Sequence, residues 1–382
     1  MKNMKLSFLI SFLCCLLSVA VYSQNARFSQ IGTAPIQMNP SLAGRFDGKI
    51  RLSMLYSSQE SKIAEMQHQN ISLDAKFGKY KSSGDENVLK VSDLPGNNKK
   101  IKEGKDEVFK KSRVLGYWGA GFNYYHYGNS KSPLDATFLS ATIARHFYNK
   151  SNKIYGFGLQ ATYAQCKLDE NKGTAYDREI SGDGFRYPYL TGPASRVGSN
   201  NYMDFNVGGY YGMVTDAVMF ELGGAMHHLF YPRNDPRAID NETQLRHRIT
   251  AQSLLRLKLD SRWGIIQKNV YWQEGLYYRS RKLNGDSAEI VAFWAGLEFY
   301  KVNPPKDVNF NFGFFTRSFR TLMPYFNINI TKKANLRYSY ELPINSKKFT
   351  AYTAKRSEVA LILTYMRYTN PGTRFYKKLN FW

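Results

Sequence analysis

Cysteine is scarce in this chain, and long apolar runs are confined to its start. Among 382 residues there are three cysteines, Cys14, Cys15 and Cys166. The first two fall in an apolar N-terminal stretch, so after its removal one cysteine would remain and no internal disulfide could form. Beyond that stretch, no apolar run is long enough for a membrane-spanning helix. The sequence therefore argues against a disulfide-stapled secreted domain and against a helical membrane protein.

The N-terminus is typical of an export signal. Lys2 and Lys5 precede an apolar core over residues 6–21, and small residues follow at the cleavage position. We therefore expect a cleaved signal peptide over residues 1–23, with Gln24 as the first mature residue. A membrane anchor is the alternative interpretation of the same stretch.

Net charge and aromatic content indicate which class of exported protein this is and which partners it could have. The formal net charge is +23, and 15% of the residues are aromatic. Outer-membrane barrels carry aromatic girdles at both membrane interfaces. The positive charge suits anionic lipopolysaccharide or an acidic protein. Nucleic acid is not expected as a partner, because the chain carries an export signal and lacks a recognisable nucleic-acid-binding module.

Residues 154–165 show the pattern on which the fold prediction depends. Phe157 and Leu159 share one parity, whereas Gly158 and Gln160 share the other. Alternate residues of a strand point to opposite faces, so one face is apolar and the other is small or polar. The stretch also has the length of about 9–11 residues that a tilted strand needs to cross a bilayer.

Similar stretches recur along the chain and predict an all-β fold, a transmembrane antiparallel outer-membrane β-barrel of about 14 strands over residues 49–368. A soluble β-sandwich is the alternative, but its strands are normally shorter. The expected strands cover residues 49–57, 67–77, 114–127, 137–147, 154–165, 202–213, 217–228, 247–259, a part of 264–280, 289–300, 308–319, 325–331, 335–342 and 357–368.

Short and long connections alternate between these stretches over much of the chain. Each connection is numbered by the strand that it follows. From the fourth connection onward, the even-numbered connections are short: 148–153, 214–216, 260–263, 301–307 and 332–334. The odd connections include the long stretches 167–201, 229–246 and 343–356. Short periplasmic turns and long outer loops are typical of outer-membrane barrels, so the odd connections are expected outside. The long even connection 78–112 departs from this rule.

Residues 24–48 precede the first strand and are predicted to plug or cap the barrel from its periplasmic side. Pro35 and Pro40 exclude a regular strand interior here. The stretch also contains apolar residues that need cover, and we take Phe28, Asn39 and Pro40 as its candidate plug residues. A disordered leader is the alternative.

Catalytic and metal-binding motifs are not evident, and we expect neither an enzyme nor a cofactor. His227 and His228 are adjacent, so on a strand they would point to opposite faces and could not share a metal. No Gly-x-Ser-x-Gly elbow occurs. A hydrolase would need a close Ser–His or Asp–His pair at one rim of the barrel.

The loop over residues 167–201 holds the candidate partner-binding residues Phe185, Arg186, Tyr187 and Tyr189. Exposed aromatic side chains and arginine are enriched at interaction hot spots. An ordinary surface loop is an equally consistent interpretation of this composition.

Several short blocks resemble the PorP/SprF family of the type IX secretion and gliding apparatus. They are Phe28-Ser29-Gln30, Asn39-Pro40-Ser41-Leu42-Ala43-Gly44, Asp204-Phe205-Asn206-Val207-Gly208, Gly224-Ala225-Met226-His227-His228-Leu229, Arg246-His247-Arg248 and Glu358-Val359-Ala360-Leu361. The stretch 78–112 and the C-terminal tail 369–382 depart from the family pattern.

The resemblance implies an integral outer-membrane component of the type IX machinery in a Gram-negative bacterium. Members are associated with the periplasmic lipoprotein ring, or with secretion and surface anchoring of adhesins through their C-terminal domains. The family brings no catalytic residues. A channel for a small solute is the alternative function, and an open lumen would favour it.

Overall fold

The computed structural model describes most of the barrel region together with a short segment that precedes it. The described residues are 31–46, 48–60, 65–77, 115–128, 134–149, 153–169, 197–215, 218–232, 245, 247–259, 270–283, 286–300, 309–317, 321–331, 333–344 and 355–365. The expected signal peptide, the tail 369–382, Phe28 and the loop residues Phe185, Arg186, Tyr187 and Tyr189 lie outside them.

Fourteen strands form the sheet. They are β1 (Ile50–Glu60), β2 (Glu65–Phe77), β3 (Leu115–Gly128), β4 (Leu134–Asn149), β5 (Lys153–Asp169), β6 (Val197–Val214), β7 (Val218–His227), β8 (Arg248–Leu259), β9 (Val270–Leu283), β10 (Asp286–Tyr300), β11 (Asn309–Arg317), β12 (Thr321–Thr331), β13 (Ala334–Pro343) and β14 (Lys355–Tyr365).

The sheet closes on itself. Each strand pairs antiparallel with its sequence neighbours, and β1 closes the barrel by pairing with β14 from Ile50 opposite Tyr365 to Glu60 opposite Lys355. Closure leaves no sheet edge along the paired height of the wall, which is the condition for a β-structure to cross a bilayer. The structure confirms the expected antiparallel barrel of fourteen strands.

Apolar and polar residues alternate between the two faces as expected. The outward Phe157 and Leu159 are 64% and 58% exposed, whereas the inward Gln160 is 6% exposed. The same alternation runs through β2, where Leu73 is exposed and Asp74 is buried. The outer face is thus an apolar surface for lipid, and the inner face carries polar and small residues.

Several strand ends differ from the expectation. β5 and β6 extend to Asp169 and from Val197, so part of the expected loop 167–201 belongs to the sheet. β12 begins at Thr321 and not at Tyr325. It continues through Pro324, where its pairing with β13 is interrupted, because proline has no N–H to donate to the ladder.

The lengths of the connections are less regular than expected. β8 ends at Leu259 and β9 begins at Val270, so that even connection is longer than the four residues 260–263. The odd connections after β9 and β11 are short, since β10 begins at Asp286 and β12 at Thr321. Orientation in the membrane therefore remains a prediction that now depends mainly on the long connections between β5 and β6, β7 and β8, and β13 and β14.

Within the described parts of the chain, helical structure occurs in the segment before β1. It consists of a 3₁₀ turn at Ile31–Thr33, a short α-helix at Pro35–Met38 and a second 3₁₀ turn at Pro40–Leu42. Among the described residues, no helix is both long enough and apolar enough to cross a membrane.

Candidate functional site in the barrel interior

Residues 31–46, called here the luminal segment, lie against the inner face of the barrel. Ile36, Asn39 and Leu42 are fully buried, although they belong to no strand. The second 3₁₀ turn of the segment contacts β4, β5 and β6, and its short α-helix contacts β3. The segment therefore occupies space inside the barrel and is covered by inward-facing side chains.

The luminal segment runs along the inner wall. Ala34 belongs to a buried cluster with Phe138 of β4, near the end where β4 begins. The carbonyl of Ala43 contacts His146, near the end where β4 stops. At about 3.3 Å per residue, this stretch of β4 corresponds to roughly 26 Å. The segment thus follows much of the height of the wall.

Asn39 joins the segment to two strands at once. Its Nδ2 donates to the backbone carbonyl of Gly209 on β6 and to that of Gly224 on β7, both at 3.1 Å. Its Oδ1 accepts hydrogen bonds from the backbone N–H of Ser41 at 3.0 Å and from the Ser41 hydroxyl at 2.6 Å. The buried amide thereby fixes the turn at Pro40 against the wall.

Glycines of the wall make room for this turn. A Cβ on Gly158 would overlap the backbone of Pro40 and Ser41, and a Cβ on Gly208 would overlap the Asn39 side chain. Gly119, on β3, lies against the Ala43 carbonyl in the same way. The space that glycine leaves at these positions is therefore filled by the luminal segment. Gly156 is different, because the Tyr210 ring fills the space above it.

The backbone of Ala43 and Gly44 is held by three wall residues. The Ala43 carbonyl lies 2.8 Å from Nε2 of His146, which therefore donates, since a carbonyl oxygen can only accept. The Gly44 N–H donates to Asp74 Oδ2 at 2.8 Å, and the Tyr117 hydroxyl donates to the Gly44 carbonyl at 3.1 Å. With a φ of 75°, Gly44 adopts a backbone conformation that favours glycine.

Arg45 forms a buried ion pair with the wall. Its guanidinium nitrogen lies 3.0 Å from a Glu221 oxygen, and the two side chains are 1% and 0% exposed. Burial opposes the charge on Arg45, but the Glu221 carboxylate favours it, and the pKa of Arg45 is raised above its ordinary value. Arg45 also lies over the Tyr210 ring, 5.4 Å from its centroid. The segment thus carries a buried charge that is paired with a carboxylate of the wall.

A second buried ion pair supports the same region. Arg51 of β1 donates to both oxygens of Asp74, at 2.9 and 2.8 Å, and Asp74 also accepts from Gly44. Lys76 donates to the carbonyl of Phe46, whose ring lies 4.7 Å below the Arg51 guanidinium. The end of the segment is therefore tied to β1 and β2.

Apolar side chains of the segment complete its packing. Met38 and Leu42 join a buried cluster that also draws on strands from the far side of the barrel. The wall residues of this cluster are Tyr117, Tyr148, Ile154, Tyr210, Met219, Leu254, Ala292, Trp294, Phe315 and Met323. An aromatic and apolar contact of this kind is unusual for a water-filled lumen, whose interior is polar.

Polar contacts continue along the remaining part of the segment. The Gln37 amide donates to Asn70 at 2.9 Å, and the Thr250 hydroxyl donates to the Met38 carbonyl at 3.0 Å. Gln160 approaches the Ile36 carbonyl at 3.4 Å. The segment is thus held by hydrogen bonds from β2, β5 and β8 as well as by its apolar side chains.

In the part of the chain that the structure describes, Asp–His pairs occur toward one end of the barrel. His228 Nδ1 lies 2.9 Å from Asp204, and both side chains are largely buried. His126 Nδ1 lies 3.8 Å from Asp135. The first pair lies at a backbone turn, where His228 has a φ of 62° and its backbone N–H donates to the Asn206 side chain at 3.2 Å. Within the described residues, no group of three or more His, Cys, Asp or Glu side chains is placed to hold a metal ion.

Of the residues proposed from the sequence, the structure brings Asn39 and Pro40 into contact with Gly158 and Gly208. Arg45, His146 and Gly119 are not among the site residues predicted from the sequence. Inward parity on regular strands is the one signal that favours His146 and Gly119, and it does not distinguish them from other inward residues.

The fold and its interior define the class of protein. A closed antiparallel barrel with an apolar outer face and a polar inner face is an outer-membrane β-barrel. The model of the family "Type IX secretion system membrane protein PorP/SprF" matches residues 20–365. The chain therefore belongs to this family, which confirms the resemblance seen in the sequence and an outer-membrane role in type IX secretion.

Three solved structures are similar to this chain over most of its length at low sequence identity. The translocator domain of the autotransporter NalP from Neisseria meningitidis is 9% identical, with a TM-score of 0.39, over 83% of this chain and 88% of that one. BamA from Haemophilus ducreyi lacking POTRA domains 1–3 is 10% identical, with a TM-score of 0.42, over 83% and 70%. The P. putida toluene transporter TodX is 12% identical, with a TM-score of 0.37, over 88% and 95%. No curated protein matches the chain.

Proposed function

We propose that this barrel is a non-catalytic anchor of the type IX machinery whose lumen is plugged by its own luminal segment. In this role it binds the C-terminal domains of secreted adhesins, or the periplasmic lipoprotein ring, and supports secretion or surface anchoring. It acts through protein–protein contacts and does not conduct a solute.

The observation that carries this proposal is the fixation of the luminal segment. Arg45 is paired with Glu221 inside the barrel, and Asn39 bridges two strands. Release of Arg45 from this place is costly, because the buried Glu221 carboxylate would lose the guanidinium that pairs with it. A segment held in this way suits a permanently closed barrel better than a pore.

The loop between β5 and β6 is the proposed contact for the exported partner. It contains Phe185, Arg186, Tyr187 and Tyr189 and joins the two longest strands of the barrel. The net charge of +23 also favours contact with anionic lipopolysaccharide around the barrel.

Copurification tests this function. The tagged barrel is extracted in detergent from cells that carry a type IX system, and its partners are identified by mass spectrometry. We expect an adhesin C-terminal domain or a ring lipoprotein with the wild type, and a loss of the adhesin after alanine replaces Phe185, Arg186, Tyr187 and Tyr189. The matched control replaces Asn345, Lys347 and Lys348 by alanine. Recovery of neither partner class with the wild type would contradict the proposed function.

A further inference from the structure

The neighbouring strands β6 and β7, which are joined by the connection that contains Thr215, differ greatly in length: β6 has 18 residues and β7 has 10. β6 spans Val197–Val214, but it pairs with β7 only from Val207 to Val214. β7 ends at His227. In the part of the chain that the structure describes, no strand pairs with residues 197–206 of β6 on the side that faces β7.

The backbone at the top of β7 turns away from β6. His228 has a φ of 62°, which is uncommon for a residue with a Cβ. Its N–H donates to the Asn206 side chain at 3.2 Å, and the Phe205 carbonyl instead accepts from the Leu229 N–H at 3.1 Å. The ladder thus slips by one residue at His228 and stops, and the Asp204–His228 pair holds it there.

The same hydrogen bond defines which backbone groups face the open side. In an antiparallel strand, the N–H and C=O of one residue point to the same neighbour, and successive residues alternate. Because the Phe205 carbonyl points toward the β7 side, so do the backbone groups of Met203, Asn201 and Ser199. Those of Tyr202 face β5, with which β6 pairs over its full described length.

Within residues 197–205, the described edge carries few of the sequence features that protect natural edges against strand addition. Natural edges are shielded by Lys, Pro or inward charges. Residues 197–205 contain neither Lys nor Pro, and their only charged residue, Asp204, is inward and paired with His228. By contrast, the part of β10 that rises beyond β11 carries Asp286 and Glu289.

From the lengths of the two strands, we expect the part of β6 that rises beyond β7 to lie outside the bilayer. β7 has 10 residues, about the length that a tilted strand needs to cross a bilayer. The additional part of β6 rises beyond the end of β7 by roughly 30 Å of strand. It lies at the end of the barrel that carries the long connection between β5 and β6, where the proposed partner-binding loop begins.

We propose that the edge of β6 at Ser199, Asn201 and Met203 receives an extended strand of the exported adhesin C-terminal domain. The partner strand pairs with the backbone of β6 and continues the sheet upward, which is the recognition mode of β-strand addition. This site rests on the proposed function, because it names the contact through which the barrel anchors its exported partner. Recognition through backbone groups would tolerate different partner sequences.

Proline substitution tests the site in the full-length barrel. Asn201→Pro with Met203→Pro removes two N–H groups from the open edge and leaves those that face β5, and proline is tolerated at such edge positions. The control is Asn201→Ala with Met203→Ala. The probe is a separately produced adhesin C-terminal domain from the same type IX system. Its Kd is measured with the barrel in detergent, and backbone hydrogen exchange of Ser199, Asn201 and Met203 is measured with and without it.

We expect the double proline variant to raise Kd by about tenfold or more and the double alanine variant to leave Kd nearly unchanged. We also expect the amides of Ser199, Asn201 and Met203 to become protected from hydrogen exchange when the domain binds. Equal binding by both pairs, or amides already protected in the barrel alone, would overturn the site but not the proposed function. If the domain does not bind the wild type, the proposed function fails and the site fails with it. If the proline pair does not fold, the hydrogen exchange of the wild type decides.

Discussion

Arg45 lies 3.0 Å from Glu221 in the barrel interior, and neither side chain reaches solvent. Removing one partner deprives the other, still buried, charge of the counter-charge that lies 3.0 Å away. We expect Arg45→Met or Glu221→Gln to lower the free energy of unfolding by about 3–5 kcal/mol. Urea titration of the detergent-solubilised barrel measures this change.

The double variant Arg45→Met with Glu221→Leu serves as the matched control. It removes both charges, so we expect it to be less destabilised than either single variant. Single variants as stable as the wild type would show that the pair does not hold the luminal segment.

Gly158 tests the close approach of the segment to the wall. A Cβ there would overlap the backbone of Pro40 and Ser41, so Gly158→Ala should lower the free energy of unfolding by about 1–3 kcal/mol. Gly209→Ala is the control, because its Cβ would meet no atom closer than 3.5 Å. Equal stability of the two variants would place Pro40 away from this wall.

Phe157 tests the lipid-facing surface. It is 64% exposed on the outer parity, so Phe157→Arg should cost roughly 2–4 kcal/mol in a folding assay with lipid vesicles. Phe157→Leu keeps an apolar side chain and should cost far less. If Phe157→Arg left the folding free energy unchanged, the face that carries Phe157 would not be in contact with lipid.

The inward neighbour Gln160 is a poor control for that experiment. From the sequence alone, Gln160→Arg is expected to cost little folding free energy, because the position faces a polar lumen. In the structure, Gln160 donates to Thr142 at 3.0 Å and accepts from Asn206 at 2.9 Å. It is also buried beneath the luminal segment, so a larger charged side chain should be costly there as well.

Epitope tags test the orientation of the barrel. We expect tags inserted within residues 170–196 or 344–354, between the strands, to be labelled on intact cells, because long connections are typical of the outer side. Tags within 150–152 should become accessible only after the outer membrane is permeabilised. Labelling of the 150–152 site on intact cells would show that the barrel has the opposite orientation.

Strand number and facing were predictable because they depend on local alternation. The pattern around Phe157 and Gln160 gave the correct facing, and fourteen stretches gave the fourteen strands. Strand ends were less predictable, as Thr321 shows, because pairing with a neighbour can carry a strand through a proline. The partners of the luminal segment were not predictable. The link from Arg45 to Glu221 spans 176 residues, and no local pattern encodes such a contact.

Conductance in planar bilayers tests the central claim, that the luminal segment plugs the barrel. The intact protein should be nearly silent, and deletion of residues 26–42 should produce stable openings, because it removes the contacts that Asn39 and Leu42 make inside the barrel. The change of mobility on heating in gel electrophoresis serves as the check that the deleted form still folds. A large and steady conductance from the intact protein, unchanged by the deletion, would contradict the plug and favour a channel for a small solute.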